Sequence, residues 1–233
     1  MKQVQLPLGV SFNGYATFAN FLPGDNRLAL EAVRNGLAVP AAEFRCFYLW
    51  GHANTGKSHL LQAACQHLSE QESPAAFIPL EQVRRESPQL LDGLGSLELV
   101  CLDNLEQVSG DPDWERAVFN LFNQLRENNR CLLVSARRNL GELGLRLPDL
   151  VSRMQWGVNF RLGALSDQQK KQALTLRCAS RGIELPAETV SYLLNHSSRD
   201  LGSLSSTVDQ LVDAAIEQRR QLTIPFAKQV LNL

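Results

Sequence analysis

Eight residues at Gly51–Ser58, with the sequence GHANTGKS, restrict the possible folds of this chain more than any other segment. They match the spacing G-x-x-x-x-G-K-[ST], in which glycines allow backbone N–H groups to turn inward around phosphate oxygens. Lys57 is then expected to reach the β- and γ-phosphates of a nucleotide, and the Ser58 hydroxyl to ligate Mg²⁺. An apolar strand at Cys46–Trp50 precedes the loop and a helical pattern at Lys57–Leu68 follows it, so the positive end of a helix is predicted to face the phosphates. The predicted nucleotide contacts here are Gly51, Ala53, Asn54, Thr55, Gly56, Lys57, Ser58 and His59.

A carboxylate at the end of a neighbouring strand should complete such a site. Asp103 ends the apolar run LELVCLD and is predicted to hold Mg²⁺ through water, although a strand-ending Asp that merely begins a turn is the alternative. ATPases with this loop usually place a second acid next, to activate the attacking water. Here that residue is Asn104, whose amide cannot accept a proton at neutral pH, and Glu106 stands at a different spacing. We therefore expect weak or absent ATP turnover by the isolated chain.

Short apolar strands alternate with helical patterns over the first two thirds of the chain. Continuous apolar strands of this kind, separated by helices, indicate a parallel sheet covered on both faces. We therefore predict an α/β fold with a five-stranded parallel sheet between helices. The strands after Cys46–Trp50 are predicted at Ala75–Leu80, Leu97–Asp103, Cys131–Ala136 and Trp156–Leu162.

The pattern changes from Ser166 onward, where amphipathic helices follow one another and no strand is predicted. We expect residues 12–163 to form the α/β base domain and residues 164–233 a small all-helical lid. Residues 1–11 are expected to be a flexible tail, because Pro7 and Gly9 interrupt any regular pattern. The lid helices are predicted at Ser166–Arg181, Pro186–Asn195, Asp200–Arg219 and Ile224–Leu231.

Composition narrows the class of protein further. Lys and Arg number 23 against 24 Asp and Glu, a balance that argues against a dedicated nucleic-acid binder. The five cysteines show no CxxC pairing and the four histidines no metal spacing, so neither disulfides nor a zinc site are expected. Apolar stretches are too short for a membrane span, and the N-terminus is unlike a signal peptide. A cytoplasmic protein without membrane contact is predicted.

Three further runs follow the loop and Asp103 in a recognisable order. They are CLLVSA at Cys131–Ala136, LPDLVSRMQWG at Leu147–Gly157 and SSRDLGSL at Ser197–Leu204. Together these motifs resemble the bacterial initiator proteins related to DnaA, which belong to the AAA+ class of P-loop proteins. The resemblance extends over nearly the whole chain and implies a P-loop AAA+ module followed by a helical lid.

The resemblance implies roles for individual residues. Arg153 would be an arginine finger acting in trans, in the nucleotide site of a neighbouring subunit, where such fingers stabilise transition-state charge. Arg199 would be sensor 2, reaching from the lid to the phosphates, and Ser135 would be sensor 1. Phe18 and Phe21 mark the neighbourhood in which the family's adenine pocket begins. A solvated surface arginine is the alternative for both Arg153 and Arg199.

The first residues of the chain carry a second resemblance. QVQLPL at Gln3–Leu8 is similar to the Gln-x-x-Leu-x-Leu peptide with which proteins dock on the DNA polymerase sliding clamp. Apolar side chains of such a peptide insert into a surface pocket while the glutamine hydrogen-bonds at its rim. The alternative is a disordered tail that happens to contain Gln and Leu. The predicted clamp contacts are Gln3, Leu6, Pro7 and Leu8.

The tail, together with an expected lack of the initiator's DNA-reading domain and N-terminal partner-binding domain, is typical of the Hda group of this family. Members of that group are negative regulators of replication initiation. The resemblance implies that this chain holds ADP (or ATP) with Mg²⁺, docks on the DNA-loaded clamp and stimulates ATP hydrolysis by DnaA through Arg153. It would meet DNA only through the clamp, and homo-oligomers are expected to be possible because AAA+ sites form between subunits.

Three other classes of function stay open at this point. An autonomous AAA+ ATPase of the helicase-loader or transposition-helper type would normally carry a catalytic acid where Asn104 stands. A small-molecule or nucleotide kinase would need several arginines pointing into a substrate lid. A DNA-binding fragment of an initiator would need a basic stripe and a reading helix.

Overall fold

The computed structural model describes residues 16–37, 43–196 and 200–231 of the chain. These residues form two compact units. The first contains residues 16–19 and 25–163, and the second contains residues 20–24 and 164–231. No helix within the described residues is long and apolar enough to cross a lipid bilayer.

The first unit is built on a five-stranded parallel sheet with the strand order β2-β3-β4-β1-β5. This architecture confirms the predicted fold. Every residue of β2, β3 and β4 is buried, and because successive side chains point to opposite faces of a sheet, both faces must be covered. The strands are β1 (Arg45–Trp50), β2 (Ala75–Pro79), β3 (Leu99–Asp103), β4 (Cys131–Ala136) and β5 (Val158–Arg161).

Helices connect and cover these strands. The helix that follows β1 packs against β2, β3 and β4, and the one that follows β3 packs against β4. The helices of the first unit are α1 (Arg27–Asn35), α2 (Lys57–Glu70), α3 (Leu80–Val83), α4 (Pro112–Glu127) and α5 (Pro148–Gln155). Short 3₁₀ turns lie at Gly24–Asn26, Pro88–Leu91, Leu94–Ser96, Leu105–Gln107 and Leu140–Glu142.

A single buried carboxylate ties the start of α4 to the loop that leads into α5. Glu115 is 1% exposed and accepts hydrogen bonds from the backbone N–H groups of Gly110, Arg146 and Leu147, at 2.7–3.0 Å. Leu147 immediately precedes α5. The position of α5 relative to α4 therefore depends on this side chain.

The second unit is all-helical, as predicted for the lid. Its helices are α6 (Asp167–Ala179), α7 (Ala187–His196), α8 (Leu201–Gln218) and α9 (Ile224–Leu231). Ser166 and Gln169 form a reciprocal capping box that fixes the first residue of α6. Arg177 on α6 binds Asp209 on α8 through two parallel hydrogen bonds of 2.6 and 2.7 Å. Apolar side chains from all four helices close the core of the unit.

The short segment Asn20–Gly24 belongs to this second unit, although the sequence placed it with the base. The Asn20 side-chain amide donates to the Ser180 hydroxyl at 3.2 Å. Gly24 has a φ of 52°, and a Cβ there would lie 2.9 Å from the Leu165 side chain. Contacts with residues more than a hundred positions away thus decide where this segment packs.

Glu115→Gln is expected to lower the free energy of unfolding by about 2 kcal/mol, because it removes charge-assisted hydrogen bonds and turns an NH₂ group toward backbone donors. Urea denaturation followed by circular dichroism measures the change. The matched control is Glu127→Gln, at an exposed position of the same helix. Equal unfolding midpoints for the two variants would contradict the role given to Glu115.

Candidate functional site

The loop at Gly51–Ser58 joins β1 to α2, and its path requires its glycines. A Cβ on Gly51 would lie 2.4 Å from the carbonyl oxygen of Leu162, which no side chain tolerates. Gly56 has a φ of 91° and immediately precedes α2. The N–H groups in the first turn of α2 therefore open toward the loop, as a phosphate site requires.

Lys57 is held inside this loop. Its side chain is buried, and its ammonium donates to the carbonyl oxygens of Gly51 at 2.8 Å and His52 at 2.7 Å. Burial lowers the pKa of Lys57, while the negative charges of Asp103 and Glu106 oppose that shift. The loop thus carries a cation whose position is fixed by the loop's own backbone.

Asp103 lies at the end of β3, where its charge interacts with that of Lys57. It is 4% exposed, and its carboxylate accepts hydrogen bonds from the hydroxyls of Ser135 and Ser58. Burial raises the pKa of Asp103, while these two hydrogen bonds and the charge of Lys57 act to lower it. Side chains from β3, β4 and α2 therefore converge at the carboxyl ends of adjacent parallel strands.

Arg153 lies on α5 and contacts aromatic rings. Its guanidinium carbon is 5.4 Å from the centroid of the Phe119 ring and 5.3 Å from that of Trp156. None of the ion pairs found within residues 16–37, 43–196 and 200–231 involves Arg153. The charge of this guanidinium is therefore not neutralised by a described carboxylate.

Comparison with known families agrees with this geometry. The family model for the bacterial DnaA ATPase domain matches residues 12–161. This chain belongs to the bacterial DnaA ATPase-domain family. The model for the lid domain of Hda matches residues 167–231 of the same chain, so it is an Hda/DnaA-related AAA+ protein.

Solved structures of DnaA-family and other AAA+ proteins share the fold. Domain III of the Thermotoga maritima replication initiation protein DnaA superposes with a TM-score of 0.76 at 19% identity, covering 96% of this chain and 98% of that one. AMPPCP-bound DnaA from Aquifex aeolicus gives 0.69 at 23% identity, covering 88% and 67%. DnaI gives 0.59 at 15% identity, covering 67% and 93%. At these identities the likeness establishes the fold.

The donor set of this DnaA-family chain fits Mg²⁺. That ion takes oxygen ligands in octahedral geometry and is typically held by one or two carboxylates together with substrate phosphates. The Ser58 hydroxyl and the Asp103 carboxylate are hydrogen-bonded to each other beside Lys57, so both oxygens reach one point. In the described part of the chain, no cluster of three or more His, Cys, Asp or Glu side chains offers a competing metal site.

Asn104 occupies the position after Asp103, and the structure shows what surrounds it. Its backbone has a φ of 62°, its N–H donates to the Ser135 hydroxyl at 3.0 Å, and its side-chain amide lies 3.5 Å from the Glu81 carboxylate. Glu106 is instead engaged by Arg137, accepting from its backbone N–H at 3.2 Å and pairing with its guanidinium at 3.3 Å. The carboxylate beside Asn104 is therefore Glu81.

Sequence reasoning missed Glu81, although a signal was available. It stands two residues beyond the end of β2, and β2 pairs directly with β3, so an acid there lies beside the residues that follow Asp103. The carboxyl ends of neighbouring parallel strands share one edge of the sheet. An acid just beyond β2 was thus a candidate as soon as the strand order was known.

The other residues predicted to contact the nucleotide differ in burial and in hydrogen bonding. Thr55 is buried and its hydroxyl donates to the His52 carbonyl at 3.1 Å, whereas Ala53 and Asn54 are exposed. His59 Nε2 lies 3.0 Å from the carbonyl oxygen of Thr17.

The two phenylalanines expected near the adenine pocket belong to different units. The Phe18 ring packs edge-on against His67, with ring centroids 5.5 Å apart. That histidine is about 15 Å further along α2 than Lys57 at 1.5 Å per residue. Phe21 is buried and belongs to the second unit. The expected sensor 2, Arg199, and the expected clamp contacts Gln3, Leu6, Pro7 and Leu8 lie outside the described residues.

Asp103→Asn is expected to raise the free energy of unfolding at neutral pH, because it removes a buried charge while the amide oxygen still accepts from Ser135. Burial raises the pKa of Asp103 in the folded state, so its carboxyl favours folding only when protonated. The stability advantage of the variant should be largest at neutral pH. It should shrink as the pH falls through the folded-state pKa toward the ordinary carboxyl range near ~4.

Urea denaturation at several pH values measures this difference. The matched control is Asp92→Asn, at an exposed position of the same unit, which should show no such pH-dependent gain. A less stable Asp103→Asn protein at neutral pH would contradict the electrostatic analysis of the site.

Proposed function

We propose that this chain is a negative regulator of replication initiation that holds a nucleotide and activates ATP hydrolysis on its partner, the initiator DnaA. The observation that carries the proposal is that one chain combines a complete nucleotide-binding site with the lack of the expected catalytic acid. The phosphate loop with Lys57, Ser58 and Asp103 is complete, while an amide, Asn104, stands where the catalytic acid is expected. Such a site suits retention of a nucleotide better than its turnover.

The nucleotide in this proposal is ADP, or ATP that is hydrolysed slowly, with Mg²⁺. The N–H groups at the start of α2 and the Lys57 ammonium bind the phosphates, and Ser58 with Asp103 holds the metal ion. Ser135 orients the Asp103 carboxylate and also receives the Asn104 N–H, so it links the two positions that follow the strand. Arg199 would reach the phosphates from the lid. The match of residues 167–231 to the Hda lid supports that assignment.

Arg153 is the residue that acts on the partner. A guanidinium supplied in trans stabilises charge on the transferring phosphoryl group and can raise hydrolysis by about 10³–10⁵. Support comes from the position of Arg153 on α5, where it contacts rings and no described carboxylate. Hydrolysis on the initiator converts it to its ADP form, which no longer fires the origin.

The tail at Gln3–Leu8 supplies the tether to the sliding clamp. Docking on a clamp that is already loaded on DNA raises the local concentration of the regulator near newly replicated DNA without direct DNA contact. The resemblance of Gln3, Leu6, Pro7 and Leu8 to clamp-docking peptides supports this assignment. The site of action is the cytoplasm, and self-association through the same AAA+ surface would compete with the initiator.

A second candidate function has one observation in its favour. The Glu81 carboxylate lies 3.5 Å from the Asn104 amide, where it could take the place of the usual catalytic acid. The chain would then be an autonomous AAA+ ATPase of the helicase-loader or transposition-helper type. Its isolated turnover distinguishes the two functions.

Arg153→Ala is expected to abolish stimulation of the cognate initiator's ATP hydrolysis in the presence of DNA-loaded clamp, because the partner site then lacks its finger. A Gln3→Ala/Leu6→Ala variant should stimulate poorly at low concentration and recover at high concentration, since it loses only the tether. Release of inorganic phosphate from initiator-bound ATP measures both. Arg116→Ala, at an exposed position on α4, is the matched control. Full stimulation by Arg153→Ala would overturn the proposal.

The isolated protein is expected to hydrolyse ATP well below about 1 per second, the lower range of ordinary enzymes. Asn104→Asp should increase that rate at least about tenfold, because a carboxylate can accept the proton of the attacking water. Glu81→Gln should leave the slow rate unchanged. A fast wild-type rate that Glu81→Gln abolishes would favour the autonomous ATPase instead.

A further inference from the structure

Trp156 is unusually exposed for its size, and the guanidinium groups of two arginines lie beside its ring. It follows the last residue of α5, and 63% of its surface is accessible. The guanidinium carbon of Arg126, on α4, is 5.1 Å from the Trp156 ring centroid, and that of Arg153 is 5.3 Å away. One indole thus contacts two cations that come from two different helices.

Neither arginine is neutralised within the described parts of the chain. The ion pairs found there involve other basic side chains, so Arg126 and Arg153 leave two like charges beside one ring. Two cations within 5.3 Å of one ring centroid add their attraction for an anion that approaches that ring. This arrangement favours a partner that brings several negative charges to one point.

We propose that Trp156 is a positioning residue for Arg153, and that Arg126 is a second cation for the polyphosphate held by the partner. This inference rests on the proposed function and deepens it, because it names what orients the finger and what else faces the partner's nucleotide. Arg126, Trp156 and Arg153 together are called the finger platform below.

The physical reason lies in the freedom of an arginine side chain. Holding a guanidinium in one orientation costs rotamer entropy. The face of an indole attracts the cation at an exposed site, and attracts it more strongly once a partner excludes water. Trp156 therefore orients Arg153 before the partner arrives, and its contribution grows as the interface closes.

The surroundings of the finger platform suit a protein surface that carries the polyphosphate. Val158, the first residue of β5, is 51% exposed, so a second large apolar side chain lies two residues beyond Trp156. Apolar side chains grouped with unpaired cations are typical of interaction surfaces. A free nucleotide would use the cations but would have no need of the apolar neighbour.

Stimulation of the cognate initiator's ATP hydrolysis, with DNA-loaded clamp and increasing amounts of this protein, tests the inference. Trp156→Ala should lower the maximal stimulated rate roughly three- to tenfold through loss of the ring contact. Trp156→Phe should recover most of that loss, because it keeps an aromatic face. Arg126→Ala should raise the concentration needed for half-maximal stimulation and weaken its dependence on salt.

Two controls separate positioning from folding. Leu28→Ala removes a large side chain that is 73% exposed on α1, and Arg116→Ala removes an exposed arginine from the same helix as Arg126; both should behave as wild type. Nucleotide affinity of the Trp156 variants, measured with a fluorescent ADP analogue, and their unfolding midpoints should also be unchanged. A Trp156→Ala protein with an altered midpoint or altered ADP affinity would show a merely structural role and overturn the inference.

The outcomes also distinguish this inference from the proposed function. If Arg153→Ala retains full stimulation, the finger itself is wrong. If Arg153→Ala is inactive while Trp156→Ala stimulates at the wild-type rate, the function stands and the finger platform does not. A Trp156→Phe protein no better than Trp156→Ala would likewise overturn the role given to the aromatic face.

Discussion

The hydrogen bonds that hold the buried groups of Lys57 and Asp103 in place are the interactions on which the organisation of the candidate site depends. Two opposite charges are taken out of water at the carboxyl edge of the sheet, which costs free energy unless both are hydrogen-bonded. The loop carbonyls satisfy the ammonium, and Ser58 and Ser135 satisfy the carboxylate. The parallel strands β1, β3 and β4 end at the same edge of the sheet and bring these groups to one point. The topology of the sheet therefore determines where the site forms.

Much of this arrangement follows from the sequence, because its signals are local. The spacing of Gly51 and Gly56 fixes the loop, and unbroken apolar runs place the strands to within two residues of their observed ends. The neighbourhood of Asp103 and Ser135 follows once two strands are known to be parallel neighbours, since β3 and β4 end at the same edge. Local sequence patterns are sufficient to predict the loop, the strands and the residues at neighbouring strand ends.

Other features depend on residues that are distant along the chain, and no local pattern reveals them. Glu115 looks like an ordinary acid in the first turn of a helix, yet its partners lie around positions 110 and 146. Trp156 begins an apolar run that the sequence assigns to a strand, but its side chain is largely exposed and two guanidinium groups lie beside its ring. The ring of Phe18 packs on that of His67, which lies on α2. The environment of each of these three side chains is set by residues that are near in space but distant in the sequence.

The two edges of the sheet have different relations to other molecules. At one edge β2 is buried throughout, so its backbone is shielded; at the other, β5 is four residues long and mostly exposed. An exposed edge strand has unpaired N–H and C=O groups, and a strand of another molecule can pair with them. Repeated pairing of this kind leads to aggregation. The short length of β5 and the charge of Arg161 at its end make such pairing less favourable here. The exposed flank of β5 next to Trp156 can therefore stay accessible without becoming a template for fibre growth.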